Sequence, residues 1–105
     1  MNTGLYLQED QIITRETIVK SKLGMHARPA SQIAQLAETA GADVWLYIDD
    51  QKVDATSIID ILATCAVSGT KVRVEIENKE DIKILDEIIS LFESGFGEPM
   101  TDEFA

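Results

Sequence analysis

Hydrophobic and polar positions change period several times along the chain, and each change marks an element. Glu16-Thr-Ile-Val-Lys20 has the β-branched content of a strand. Over residues 27–39, Ala30, Ile33, Ala34 and Ala37 fall on one helical face, and Gly41 suits the stop. Asp43-Val-Trp-Leu-Tyr-Ile-Asp49 alternates, putting Val44, Leu46 and Ile48 on one side and Trp45 and Tyr47 on the other. Asp49-Asp50-Gln51-Lys52 reads as a hairpin turn into a short strand through Val53, a weaker signal than Asn-Gly because it lacks glycine. Ser57-Ile-Ile-Asp-Ile-Leu-Ala-Thr64 predicts a short apolar helix. Lys71-Val-Arg-Val-Glu-Ile-Glu77 alternates again, with Val72, Val74 and Ile76 inward. Asn78 can cap a final helix over residues 80–94, whose Ile82, Leu85, Ile88, Ile89 and Phe92 form a buried stripe.

The order is therefore β-α-β-β-α-β-α. Four short strands with one apolar face each cannot bury themselves, so helices must cover one side of the sheet, giving a two-layer α+β sandwich. A chain of 105 residues makes one domain. We assign it to residues 14–97, after an N-terminal leader over 1–13 and before a loose acidic tail over 98–105. The apolar content of 45% is ordinary for a globular protein and too high for a disordered one.

No apolar run approaches the roughly 18–20 residues of a membrane span. The first residues lack a basic start followed by an apolar stretch, so no signal peptide is expected either. The single cysteine, Cys65, cannot form an internal disulfide and is expected to be a small buried apolar residue. These features point to the cytoplasm. Nine Lys and Arg against 19 Asp and Glu give a formal charge of −10. Nucleic-acid binding needs a basic face, and none is visible, so the acidic excess is read as serving solubility. One histidine and one cysteine do not make a zinc site, and no Walker motif is present, so neither a metal nor a cofactor is expected.

The histidine stands in Lys22-Leu-Gly-Met-His26-Ala-Arg28-Pro29-Ala30, between the first strand and the first helix. With His26 as N-cap, Ala27, Arg28 and Pro29 occupy the first turn, where Pro29 loses nothing by lacking an N–H. The amides of Ala27 and Arg28 stay free, and with the macrodipole they make an anion site. Arg28 adds a fork of donors suited to phosphate oxygens. Gly24 would let the preceding turn take positive φ. The positive helix end and Arg28 both disfavour imidazolium, so a neutral, nucleophilic ring is expected.

Gly24-Met25-His26-Ala27-Arg28-Pro29-Ala30 resembles the active-site motif of HPr, the phosphocarrier family of the bacterial phosphotransferase system, and the likeness extends over residues 14–97. The resemblance implies an open-faced β-sandwich: a four-stranded antiparallel sheet covered on one face by three helices. It implies that His26 accepts phosphate from enzyme I, itself charged by phosphoenolpyruvate, and passes it to an EIIA-type protein. The chain would then act as a monomeric carrier without multiple turnover of its own. Ala27 and Arg28 would hold the phosphate, and Ile58, Ile59 and Leu62 match the patch by which family members dock on these partners. Lys22-Leu-Gly-Met-His26 and Ser90-Leu-Phe-Glu-Ser-Gly-Phe96 resemble especially the nitrogen-related branch. Sugar-system members often have lysines near the positions of Gln35 and Glu38, and glycine or lysine at that of Asp60; this chain lacks that basic rim.

Thr56-Ser57-Ile58-Ile59 resembles the segment whose serine is phosphorylated by HPr kinase/phosphorylase, which makes Ser57 a regulatory candidate. Ser57 with Asp60 also reads as a capping box in which Asp replaces the usual Glu or Gln. A regulatory interaction protein signalling through Ser57 or His26 is thus the alternative to a carrier. A small hydrolase is disfavoured, because the motif holds no second titratable group to serve as base.

Overall fold

The structure, a computed structural model, describes residues 12–105. Residues 1–11 of the expected leader lie outside the described residues. The elements are β1 (Ile13–Ile18), α1 (Ala27–Ala37), β2 (Val44–Ile48), β3 (Gln51–Asp54), α2 (Ile58–Ala63), β4 (Lys71–Ile76) and α3 (Ile82–Glu93). Three-residue 3-10 turns occupy Lys79–Asp81, Gly95–Gly97 and Asp102–Phe104. This is the order read from the sequence.

The strands form one sheet in the order β1-β4-β2-β3, every pair antiparallel. Across the central pair, Val44 faces Ile76, Leu46 faces Val74 and Ile48 faces Val72. Apolar residues thus stand opposite one another on a single face, and all six are buried. Helix α1 covers this face with Ala30, Ile33, Ala34 and Ala37, and α3 with Leu85, Ile88 and Phe92. The short α2 contributes Ile61. Phe92 meets Phe96 edge to face, with centroids 4.9 Å apart.

Among the described residues, the opposite face of the sheet carries no helix. Trp45 and Tyr47 lie there, half-buried by cations from neighbouring strands. The Lys52 ammonium is 4.4 Å from the Trp45 ring centre, and the Arg73 guanidinium is 4.1 Å from that of Tyr47. The Trp45 indole N–H donates to Glu77 at 2.7 Å. Charge over the ring faces, together with the long aliphatic stems, shields these aromatics from water.

One connection departs from expectation, and a second, the expected hairpin, is built without glycine. Helix α1 ends at Ala37 and Gly41 does not take positive φ. The chain is turned instead by the buried Asp81, whose carboxylate accepts from the N–H groups of Gly41 at 2.9 Å and Ala42 at 3.2 Å. In the β2–β3 hairpin, Asp49 adopts the left-handed conformation (φ 52°) where a glycine would be usual. Aspartate is among the residues that tolerate it. No helix among the described residues is long and apolar enough to cross a membrane.

Candidate functional site

After β1 the chain runs against the loop before β4. The Val19 N–H donates to the Thr70 carbonyl (2.9 Å), the Gly69 N–H to Val19 (2.7 Å) and the Met25 N–H to Ala66 (2.9 Å). The two segments also approach tightly at Gly24, whose φ is +70° and where a Cβ would stand 2.6 Å from the Ala66 oxygen. Glycine is required here on both counts. With the Met25 side chain buried on one side of His26 and Pro29 and Ala30 on the other, the imidazole between them is turned outward, its side chain 37% exposed.

His26 is the N-cap of α1, with extended backbone (φ −110°, ψ −168°) and no capping bond from its side chain. Its carbonyl accepts the first helical bond, from Ala30 at 3.1 Å. The amides of Ala27 and Arg28 precede that bond and open toward solvent beside the ring. Arg28 is exposed and makes no ion pair among the described residues. His26 is thus the N-cap, with Ala27, Arg28 and Pro29 in the first turn of α1.

What the motif did not announce is a carboxylate. Glu98, 72 residues away, places its side chain against His26 Nε2 at 2.8 Å and is itself only 7% exposed. It also accepts from the Ser21 hydroxyl at 2.9 Å. Burial pushes the Glu98 carboxyl up, but the hydrogen bonds of His26 and then Ser21, with the charges of His26 and Arg28, outweigh it and hold the group below the ordinary glutamate range. An ionised carboxylate can only accept, so Nε2 is the donor; in the neutral ring the lone pair is then on Nδ1. The expected positive surroundings of the ring are thus incomplete, since a negative group touches the nitrogen farther along it. The motif lacks a second titratable group, but the fold supplies one.

Glu93 is held low in the same way, first by Lys20 and then by Thr17, each at 2.6 Å. Both carboxyls have folded values below their unfolded ones. Their stabilisation is complete above the ordinary range of about 4–4.5 and is lost as pH falls through the depressed values. We expect the urea midpoint to drop between about pH 5 and about pH 3, and to drop less steeply in the double variant E93Q/E98Q. Equal slopes in the two proteins would remove these groups from the acid response.

Ser57 caps α2, its hydroxyl accepting from the Asp60 N–H at 3.2 Å. The three apolar residues of α2 matched to a docking patch separate. Ile59 is 78% exposed and Ile58 partly so, whereas Leu62 is half-buried and packs on the core. Two residues absent from the sequence reading extend the exposed set, Leu23 at 68% and Val67 at 67%. They flank the Gly24–Ala66 contact and so border the His26 loop. Cys65 corrects another expectation, because it is exposed. After α2 it takes a left-handed φ of 53°, which turns the thiol outward and sends Ala66 into the core instead.

Comparison with known proteins yields consistent likenesses. A family model described as "PTS HPr component phosphorylation site" matches residues 13–94. Phosphocarrier protein HPr of Chlamydia pneumoniae is 38% identical over 92 residues, covering 86% of this chain and 85% of that protein. Phosphocarrier protein NPr of Klebsiella oxytoca is 35% identical over 81 residues, 76% of this chain and 90% of that protein. Among solved structures, HPr-C-His from Thermoanaerobacter tengcongensis superposes with a TM-score of 0.68 at 33% identity, covering 84% of this chain and 99% of that one.

Proposed function

This chain belongs to the HPr family of phosphocarrier proteins, and from that premise we propose that it carries phosphoryl groups on Nδ1 of His26, from enzyme I to an EIIA-type protein in the cytoplasm. The observation that carries this reading is an outward-facing imidazole whose Nε2 is engaged by Glu98, beside the opening amides of α1. Transfer is then an in-line displacement. The Nδ1 lone pair forms a bond to phosphorus while the bond from phosphorus to the donor breaks, its electron pair leaving with the donor. The proton on Nε2 stays in place, and the cation formed on the ring is opposed by Glu98. The amides of Ala27 and Arg28 and the Arg28 guanidinium take the phosphoryl oxygens. Passing the group on reverses these steps, so the ring returns to its starting tautomer with no proton to relocate.

Helix-end stabilisation amounts to about 0.3–1 kcal/mol per charge, and up to about 2 in favourable sites. That is small beside the reactivity of a phosphorus–nitrogen bond, so the group is held without becoming inert. Docking involves Ile58, Ile59, Leu23 and Val67 around the loop, with Leu62 supporting them from below. Gln35 on α1 and Glu38 at its C-cap are exposed where a basic rim would favour a strongly acidic partner. This favours the nitrogen-related branch over sugar transport.

Incubation with phosphoenolpyruvate and a cognate enzyme I is expected to place one acid-labile phosphate on each chain, which an EIIA-type protein then removes. Absence of incorporation, or a phosphate stable to acid, would overturn the reading. The regulatory alternative has one supporting observation. Ser57 is half-exposed next to Ile58 and Ile59, so a phosphate added there by an HPr kinase/phosphorylase would alter the docking surface itself.

A further inference from the structure

Residues 98–105 have the sequence of a loose tail, yet their first residues are tied to the His26 loop along an antiparallel contact. The Thr101 N–H donates to the Lys20 carbonyl and the Lys22 N–H to that of Pro99, both at 3.0 Å, which pairs Ser21 with Met100. The Thr101 hydroxyl bonds that of Ser68. The Met100 side chain lies over Gly95, where a Cβ would come within 2.5 Å of its Cγ. The path is set by three successive left-handed residues, Gly95 (φ 65°), Phe96 (φ 59°) and Gly97 (φ 74°), which swing the chain back from the end of α3. Phe96 is buried, so the core anchors this reversal. This segment lies beyond residue 94, where the family match stops.

We propose that Pro99–Thr101 is a strap whose docking on residues 20–22 holds the Glu98 carboxylate on Nε2 and thereby selects Nδ1 of His26 as the free nitrogen. Glu98 is a positioning residue in this account, and Met100, Thr101 and Ser21 position it in turn. A flexible glutamate at the end of a helix would keep its rotamer freedom and spend most of its time solvated. Here the backbone on both sides of Glu98 is pinned, by Gly95–Gly97 before it and by the paired Pro99–Thr101 after it. Its carboxylate therefore meets the ring already ordered. The importance of the strap for phosphoryl transfer rests on the carrier reading; its effect on the ring does not.

The coupling runs in both directions. A phosphoryl group on Nδ1 makes the ring a cation at Nε2, and the bond to Glu98 becomes an ion pair at hydrogen-bond distance. The negative charge of the phosphoryl group is carried by its oxygens, attached through Nδ1 across the ring from Glu98. Phosphorylation is therefore expected to tighten the strap, giving partners a backbone difference between the loaded and unloaded forms.

The test is long-range proton–nitrogen NMR of the His26 ring in the unphosphorylated chain, at a pH where the ring is neutral. The parent is expected to hold mainly the Nε2–H form. E98Q should lower the ratio of Nε2–H to Nδ1–H forms by about five- to tenfold, since a charge-assisted bond becomes a neutral one. T101P removes the Thr101 N–H and hydroxyl but suits the existing φ of −59°, so the local backbone survives. It should shift the ratio in the same direction, and speed amide exchange of Lys22, although Glu98 is untouched. G95A, which pushes Met100 aside, should do likewise. A T101P ring indistinguishable from the parent overturns the strap even if E98Q behaves as expected. Because this measurement needs no phosphate, failure of the carrier reading would show separately, as a chain with normal tautomers that enzyme I does not label. In labelled protein, slower exchange of the Lys22 amide is the expected sign of the reverse coupling, and unchanged or faster exchange refutes it.

Discussion

His26→Ala is expected to reduce phosphate incorporation from one group per chain to background while leaving the fold in place. The chain has one histidine, so no second imidazole exists to take over. The structural cost is small for a definite reason. The ring makes no capping bond and its polar contact is with Glu98. Without the ring, Glu98 keeps its bond from Ser21 and water enters the vacated space, which places the loss at about 1–2 kcal/mol. Mass spectrometry after incubation with phosphoenolpyruvate and enzyme I reads the phosphate, and thermal melting reads the fold. An alanine variant labelled to the parental level would show that the acceptor lies elsewhere and would dismantle the site as described.

The second large effect is at a residue with no side chain. Gly24→Ala must place a Cβ at a left-handed φ, which costs about 1–2 kcal/mol before any contact is counted. The new atom would also stand 2.6 Å from the Ala66 oxygen and 3.1 Å from the Val67 Cα, both backbone atoms that cannot rotate away. The 19–25 loop and the 66–70 loop must part, weakening the Met25–Ala66 hydrogen bond just before His26. We expect a loss of stability above 2 kcal/mol, at the high end for a single substitution. We also expect phosphate uptake to fall several-fold under conditions where the variant is still folded. A variant as stable as the parent would mean that the two loops separate without cost, and that Gly24 does not set the ring's position.

The parts of this fold that could be read in advance are those where burial on one side imposes a period. In β4 every second residue is apolar, and in β2 every second residue is a buried aliphatic one with Trp45 and Tyr47 between, because only one sheet face meets helices. In α1 and α3 the buried positions recur at helical spacing for the same reason. Strand β1 was placed less well, expected over 16–20 and found at Ile13–Ile18. Among the described residues it is an edge strand paired with β4 alone, and half of its residues are exposed, so its pattern is faint.

His26, Ala27 and Arg28 were legible because a helix start organises them within a few positions of one another. Glu98 was not, because its approach depends on a chain reversal through Gly95, Phe96 and Gly97 followed by pairing with a loop far away in sequence. Neither step leaves a periodic trace. Asp81 went unseen for a similar reason, as its acceptance of two N–H groups from the α1–β2 connection links residues about 40 positions apart, and Gly41 advertised a different turn. The exposed Cys65 shows the opposite failure. Composition favours burial of a lone thiol, but one left-handed residue exchanged its place with that of Ala66.

The lone tryptophan offers an optical consequence. Trp45 sits on the sheet surface that faces away from α1, clasped by Lys52 and Glu77. Its emission follows loss of that clasp when the sheet comes apart, and it is screened by the whole thickness of the sheet from events at the imidazole. It is an internal fluorometer for intactness. A variant with parental emission that takes up no label has lost its chemistry alone.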